Sequence, residues 1–274
     1  MTIRLLKEAQ GPPSGETTLR KMTPVLGIDL ACRRWADIGS ARLEPLPDGK
    51  MRAVVPALAM PGGHPDPVAL ADLVDAHCRA HGVAVVALDG PHAWRNPASR
   101  RSGAGRWCER LVRAQGKTGV PGNALPRTQL RWTRFCIEVF DALLAKPGVA
   151  LAGEGADARA YAVMECYPTE VWRALGLPPL PGKAKCGAME TENWRNRLEA
   201  ATGWTIPKGL GHDDLQAVAA ALPALAFARG QGGAVPLGDP VGIVDGTRLE
   251  GWIWTLQATT GNEFRAETVP RRMP

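Results

Sequence analysis

Four carboxylates stand at comparable places in this sequence. Asp29 closes the apolar run Val25-Leu26-Gly27-Ile28, and Asp89 closes Val83-Ala84-Val85-Val86-Ala87-Leu88. Glu165 falls near the end of Tyr161-Ala162-Val163-Met164-Glu165-Cys166, just before Tyr167-Pro168. Asp213, with Asp214 beside it, opens an alanine-rich stretch after Gly211-His212. Runs this apolar read as strands buried on both faces. An ionised carboxylate at such a place is costly unless a cation or several hydrogen bonds stabilise it. In open α/β sheets, strand ends and helix starts border the crevice where ligands sit, so the four acids are expected to converge. Converging carboxylates repel one another. Mg²⁺ or Mn²⁺ relieves that repulsion and prefers oxygen ligands, and a pair of such ions suits in-line phosphoryl displacement. Taken singly, each acid has a plainer reading as a turn former, and Asp213 or Asp214 as a helix N-cap. The repetition of the pattern is what favours a shared site.

The elements that must position these acids can be read from periodicity. After the Asp29 strand, Ala36 to Leu43 and Met51 to Leu58 read as strands joined by the turn signal Pro47-Asp48-Gly49. Asp66-Pro67 reads as an N-cap and first helical position, with Leu70, Leu73, Val74, His77 and Cys78 on one face. The Asp89 strand follows. A helix is expected over Arg127 to Ala145, with Trp132, Cys136, Val139, Phe140 and Leu143 as its apolar stripe. Beyond the Glu165 strand, helices are expected over Thr169 to Leu175, Glu190 to Ala201 and Leu215 to Arg229, the last kinked at Pro223. Val241 to Val244 and Trp252 to Leu256 read as strands on either side of Asp245-Gly246. This order implies an α/β fold.

Composition narrows the classes. The chain has 274 residues, 45% hydrophobic and 22% charged, which excludes wholesale disorder. No apolar run approaches the roughly 18 residues of a membrane span, and no signal peptide is visible. Six dispersed cysteines without a CxxC pair read as free thiols in a reducing cytoplasm. Met1 to Thr23, with Gly11-Pro12-Pro13, reads as a flexible N-terminal arm before one domain over residues 24–274. A net charge of +6 permits a polyanionic partner. Arg100, Arg101 and Arg106 in the stretch after Asp89, Arg127 and Arg131 on the next helix, and Lys183 and Lys185 in a later loop could hold a phosphate backbone. Trp35, Trp94 and Trp107 lie near the expected crevice as base-stacking candidates, while Trp132 and Trp172 fit the core. His77 and His81 fit a helix end, and His92 could assist proton transfer. No nucleophile elbow or complete nucleotide-binding glycine pattern is present.

The order of Gly27-Ile28-Asp29, Leu88-Asp89-Gly90-Pro91, Glu165-Cys166-Tyr167-Pro168 and His212-Asp213-Asp214-Leu215-Gln216-Ala217 resembles domain-of-unknown-function family 429, predicted nucleases of the ribonuclease H-like superfamily. The resemblance spans Val25 to Trp254. It implies a mixed five-stranded sheet flanked by helices, with insertions and a C-terminal extension. It also implies Asp29, Asp89, Glu165 and Asp213 as catalytic metal ligands for Mg²⁺ or Mn²⁺ in a nuclease acting on DNA or RNA. Two positions depart from the pattern. Gln216 stands where a second acid often lies one turn from Asp213, leaving one metal or two open, and Gly90 stands where a small non-glycine residue is common. The rival expectations are a catalytically idle binding domain for nucleic acid or protein, and an actin-like phosphotransferase.

Overall fold

The computed structural model describes residues 23–154, 158–230 and 233–257. The expected N-terminal arm, apart from Thr23, lies outside the described residues. In chain order the elements are β1 (Val25–Asp29), β2 (Gly39–Pro45), β3 (Met51–Val54), α1 (Pro67–His81), β4 (Val85–Asp89), α2 (Trp107–Leu111), β5 (Lys117–Thr118) and β6 (Ala124–Leu125). They continue with α3 (Leu130–Leu144), β7 (Val149–Leu151), β8 (Tyr161–Cys166), α4 (Pro168–Ala174), α5 (Ala188–Thr202), α6 (His212–Arg229), β9 (Ala234–Val244) and β10 (Thr247–Leu256).

The main sheet runs β3-β2-β1-β4-β8-β10-β9, with β7 paired to the start of β8. Strands β1, β4, β8 and β10 are parallel, and β2 is antiparallel to β1. The first five strands in this order make a mixed sheet, with β1, β4 and β8 parallel and β2 antiparallel to both β1 and β3. The sheet has eight strands: to the five expected, the C-terminal extension adds the hairpin β9–β10 at the edge of β8, and β7 adds at the start of β8. Asp245-Gly246 turns that hairpin, with Asp245 at φ 48° and Gly246 at φ 74°. Its strands are longer than expected, since Pro236, Gly238, Pro240 and a bulge at Glu250/Gly251 interrupt the apolar alternation without ending the pairing.

Several boundaries also move. Strand β2 begins at Gly39 because Trp35–Asp37 forms a 3₁₀ turn, and β3 ends at Val54, before Pro56. The first turn of the expected Arg127 helix is 3₁₀, with α-helix from Leu130. Helix α6 runs through Pro223 without a break.

Two apolar layers cover the sheet. Val25, Val85, Ala87, Met164 and Cys166 pack with α4, α5 and α6; Leu26, Ile28, Val86, Leu88, Tyr161 and Val163 pack with α1 and α3. The alternation follows from the two-residue period of a strand. All six cysteines are free, four of them buried. Among the described residues no helix is long and apolar enough to cross a membrane.

Candidate active site

Register brings the first two acids together. Asp29 pairs with Asp89 across parallel β1 and β4, so both leave the sheet side by side on the α6 face. The connection after β1 turns towards β2, while the chain beyond β4 adds β8 on the opposite side, making their C-terminal ends a switch point in strand order. The two carboxyls are within hydrogen-bonding reach of each other.

Asp213 arrives from 184 positions further along because two glycines let α6 touch the sheet. A Cβ at Gly27 would lie 2.1 Å from the Ala217 carbonyl oxygen and 2.6 Å from the Ala221 amide nitrogen. A Cβ at Gly39 would lie 2.0 Å from the Asp213 carbonyl oxygen. Such approaches exclude any larger residue. Ligating atoms of Asp29, His212 and Asp213 consequently lie within 4.8 Å of one another. The N-cap of α6 is Gly211, so neither Asp213 nor Asp214 is spent on capping. Gly90 is required too: a Cβ there would lie 2.6 Å from Cys136 Sγ, so glycine lets α3 close over the end of β4.

The electrostatics show carboxylates short of positive charge. Burial, then the charges of Asp89 and Asp213, push the Asp29 carboxyl well above the usual carboxylate range, with Lys183 opposing. Burial and the nearby Glu165 charge push Asp89 up to about 7, against the bond from Asp29. The close pair therefore retains a proton between them at neutral pH. Lys183 Nζ donates to Asp213 Oδ2 and, at 3.0 Å, to Asp37 Oδ1. Arg34 also grips Asp37, at 2.7 and 2.8 Å. Burial would raise Asp213, but its bonds with His212 and Lys183 hold it below the usual range. Both His212 ring nitrogens face oxygen atoms, Asp213 Oδ1 at 3.0 Å and the Pro181 carbonyl at 2.9 Å, so it can offer a lone pair to a cation only after turning from one of them. Asp214 lies apart from this group, with Oδ1 accepting from the Ser40 amide at 3.4 Å.

Glu165 is not brought into this group. It pairs with Leu88, not Asp89, and shares the α3-facing side of β8 with Tyr161 and Val163. Arg106 donates to both its oxygens, at 2.6 and 2.8 Å, and His92 bonds Oε2 through Nδ1 at 2.7 Å and its backbone amide at 3.0 Å. Burial disfavours the charge, yet Arg106 and His92 outweigh it and hold Glu165 at about 2. Gln216 is also turned away, its Oε1 accepting from Trp172 Nε1 at 2.9 Å.

Arg106 is a correction to the expected phosphate contacts. Its guanidinium is fully buried between Glu165 and Glu109, which places it inside the fold. Arg100, Arg101, Arg127, Arg131 and Lys185 are exposed. Arg101 pairs with Asp239 and lies over the Trp107 ring, 4.5 Å from its centroid. Lys183 is exposed but committed to the acid cluster. Of the three expected stacking residues, Trp35 and Trp94 are buried, leaving Trp107. Trp132, expected in the core, is half-buried, and its indole Nε1 donates to the Leu30 carbonyl at 3.1 Å. Sequence reasoning missed Asp37 because Ala36 to Leu43 read as a strand, and it assigned His212 no role beside the acid it precedes.

No family model matches the chain, and no curated protein matches it, so the resemblance to family 429 rests on the short motifs alone. Among solved structures, that of Thermus thermophilus RuvC aligns with 76% of this chain and 97% of its own at 14% identity and a TM-score of 0.37, too slight a likeness to bear on function.

Proposed function

We propose that this protein is a divalent-metal-dependent phosphodiesterase acting on nucleic acid, with Asp29, Asp89 and Asp213 as the residues that hold the cation. The observation that carries the reading is that Asp29 has ligating atoms of Asp213 and His212 within 4.8 Å and Asp89 beside it in register on β4, with Asp29 and Asp89 short of positive charge. The donor set fits a hard cation, being carboxylate oxygens with an imidazole beside them. A bound Mg²⁺ or Mn²⁺ would supply Lewis acidity towards a phosphoryl oxygen and acidify water at neutral pH. The chain's own part is to hold the carboxyls together at the switch point, where their mutual repulsion retains a proton that a bound cation would displace. Glu165 has a different part in this proposal. Locked by Arg106 and His92, it positions the end of β8 and keeps a negative charge near Asp89. The basic residues Arg127, Arg131, Arg100 and Lys185 are proposed as phosphate contacts.

One observation favours the rival reading of an idle binding domain: Lys183 already neutralises Asp213. A single pair of measurements separates the two. Wild type and Asp29→Asn are assayed for cleavage of single- and double-stranded DNA and RNA with Mn²⁺, and their melting temperatures are followed as Mn²⁺ is added. The proposal expects cleavage that EDTA and Asp29→Asn both abolish, with a wild-type stabilisation of about 2.7 kcal/mol at a hundredfold excess over the dissociation constant. Cleavage that survives EDTA, or no Mn²⁺-induced stabilisation, refutes it.

A further inference from the structure

Two cavities open beside the acid cluster, and both are lined by Trp132 and Gln129. One, of about 200 Å³, has Asp89, Lys117 and Thr133 on its walls. The other, of about 520 Å³, includes Leu30, Arg33, Asp37 and Arg131. Trp132 thus stands where they meet, and its Nε1 bond to the Leu30 carbonyl fixes the ring one residue from Asp29.

That bond accounts for Trp132 as an anchor of α3 on β1. It does not account for an indole lining two cavities at the mouth of the site. The smaller space is below the range of about 300–1,000 Å³ of drug-sized pockets, which suits a single planar ring system. The larger one carries the exposed guanidinium groups of Arg33 and Arg131, which suit phosphates. An aromatic face flanked by cations is how proteins hold unpaired bases, and a base inside a duplex cannot reach such a face unless it leaves the stack.

We infer that Trp132 is the base-stacking platform of this site and that the strand it accepts is single-stranded nucleic acid, one base entering the cavity beside Asp89 while the backbone passes Arg33 and Arg131. This rests on the nucleic-acid part of the proposed function and not on the metal chemistry.

The test measures binding in EDTA, so its outcome is independent of cleavage. The full chain, as wild type, Trp132→Phe and Trp132→Ala, is titrated with a short mixed-sequence single strand, the same sequence as a duplex, and a single strand of equal length made wholly of abasic sites. The wild type is expected to bind the intact single strand best. Trp132→Ala is expected to lose roughly 10- to 100-fold on that strand, and Trp132→Phe much less. The abasic strand should bind wild type and Trp132→Ala alike, because the platform has nothing to stack. Equal loss on intact and abasic strands would reduce Trp132 to a structural anchor and overturn the inference, as would a preference for duplex. Should Trp132→Ala fail to fold, the wild type must still discriminate intact from abasic strand, and equal affinities overturn the inference. Absence of any binding overturns it too, while leaving the Mn²⁺ stabilisation test standing.

Discussion

Replacing Asp89 by asparagine should stabilise the metal-free protein at neutral pH. An unfolded aspartate releases its proton near 3.8, whereas Asp89 in the folded chain keeps one up to about 7. Between those values the folded state binds more protons than the unfolded state, so stability falls as pH rises through the window and the loss is complete above it. Three pH units at about 1.4 kcal/mol each give a penalty of up to about 4 kcal/mol. The Asp89→Asn side chain keeps the shape and can donate to Asp29 without adding charge. Urea unfolding of both proteins in EDTA, from pH 4 to pH 8, reads the effect. The curves should nearly coincide at pH 4 and separate by pH 8, and thermal unfolding of the same samples at pH 8 should show the variant melting on the order of 10 °C higher. Adding Mn²⁺ at pH 8 should close the gap, because the cation stabilises the wild type alone. A difference independent of pH, or a variant less stable at pH 8, would show that the two carboxyls are not electrostatically strained and would remove the physical basis of the cation site.

Other perturbations probe the supports of the site. Gly39→Ala should push the start of α6 off β2, costing at least about 1–3 kcal/mol and weakening Mn²⁺ binding beyond what stability explains, as calorimetric titration would show. Arg106→Ala removes the guanidinium shared by two buried carboxylates, Glu165 and Glu109, and should cost about 3–5 kcal/mol in chemical denaturation. Glu165 titrates at about 2 when folded against 4.5 unfolded, so wild-type stability is present above pH 4.5 and declines as pH falls towards 2. That acid-dependent decline should be lost in the Arg106 variant. Lys183→Ala should tighten Mn²⁺ binding and lower metal-free stability at pH 7, the two shifts being measurable by titration and melting on the same samples.

The acids at the ends of β1 and β4 were legible because their signal is local, an apolar strand closed by a carboxylate. Their convergence followed from parallel pairing, which the intervening helix α1 makes necessary. The role of Glu165 was not legible. Strand periodicity shows that Tyr161, Val163 and Glu165 share a face, but which face of the sheet that is depends on register with β4, and register is a tertiary property. Arg106 read as one more cation of a basic loop, since the carboxylate that buries it lies 59 positions away. Trp132 read as core from its helical spacing; the bond that ties it to the mouth of the site joins residues 102 positions apart.

Lys183 gives the acid cluster a counter-ion that belongs to the chain itself. Any cation taken up by Asp29 and Asp213 must compete with that ammonium for Asp213. The competition is reciprocal, since whatever factor the lysine costs the metal, the metal costs the contact between the Lys183–Lys185 turn and α6. The affinity of the site is therefore a property of a loop as much as of its ligands. A substitution far from every carboxylate that loosens the turn would raise metal affinity, and one that stiffens it would lower it.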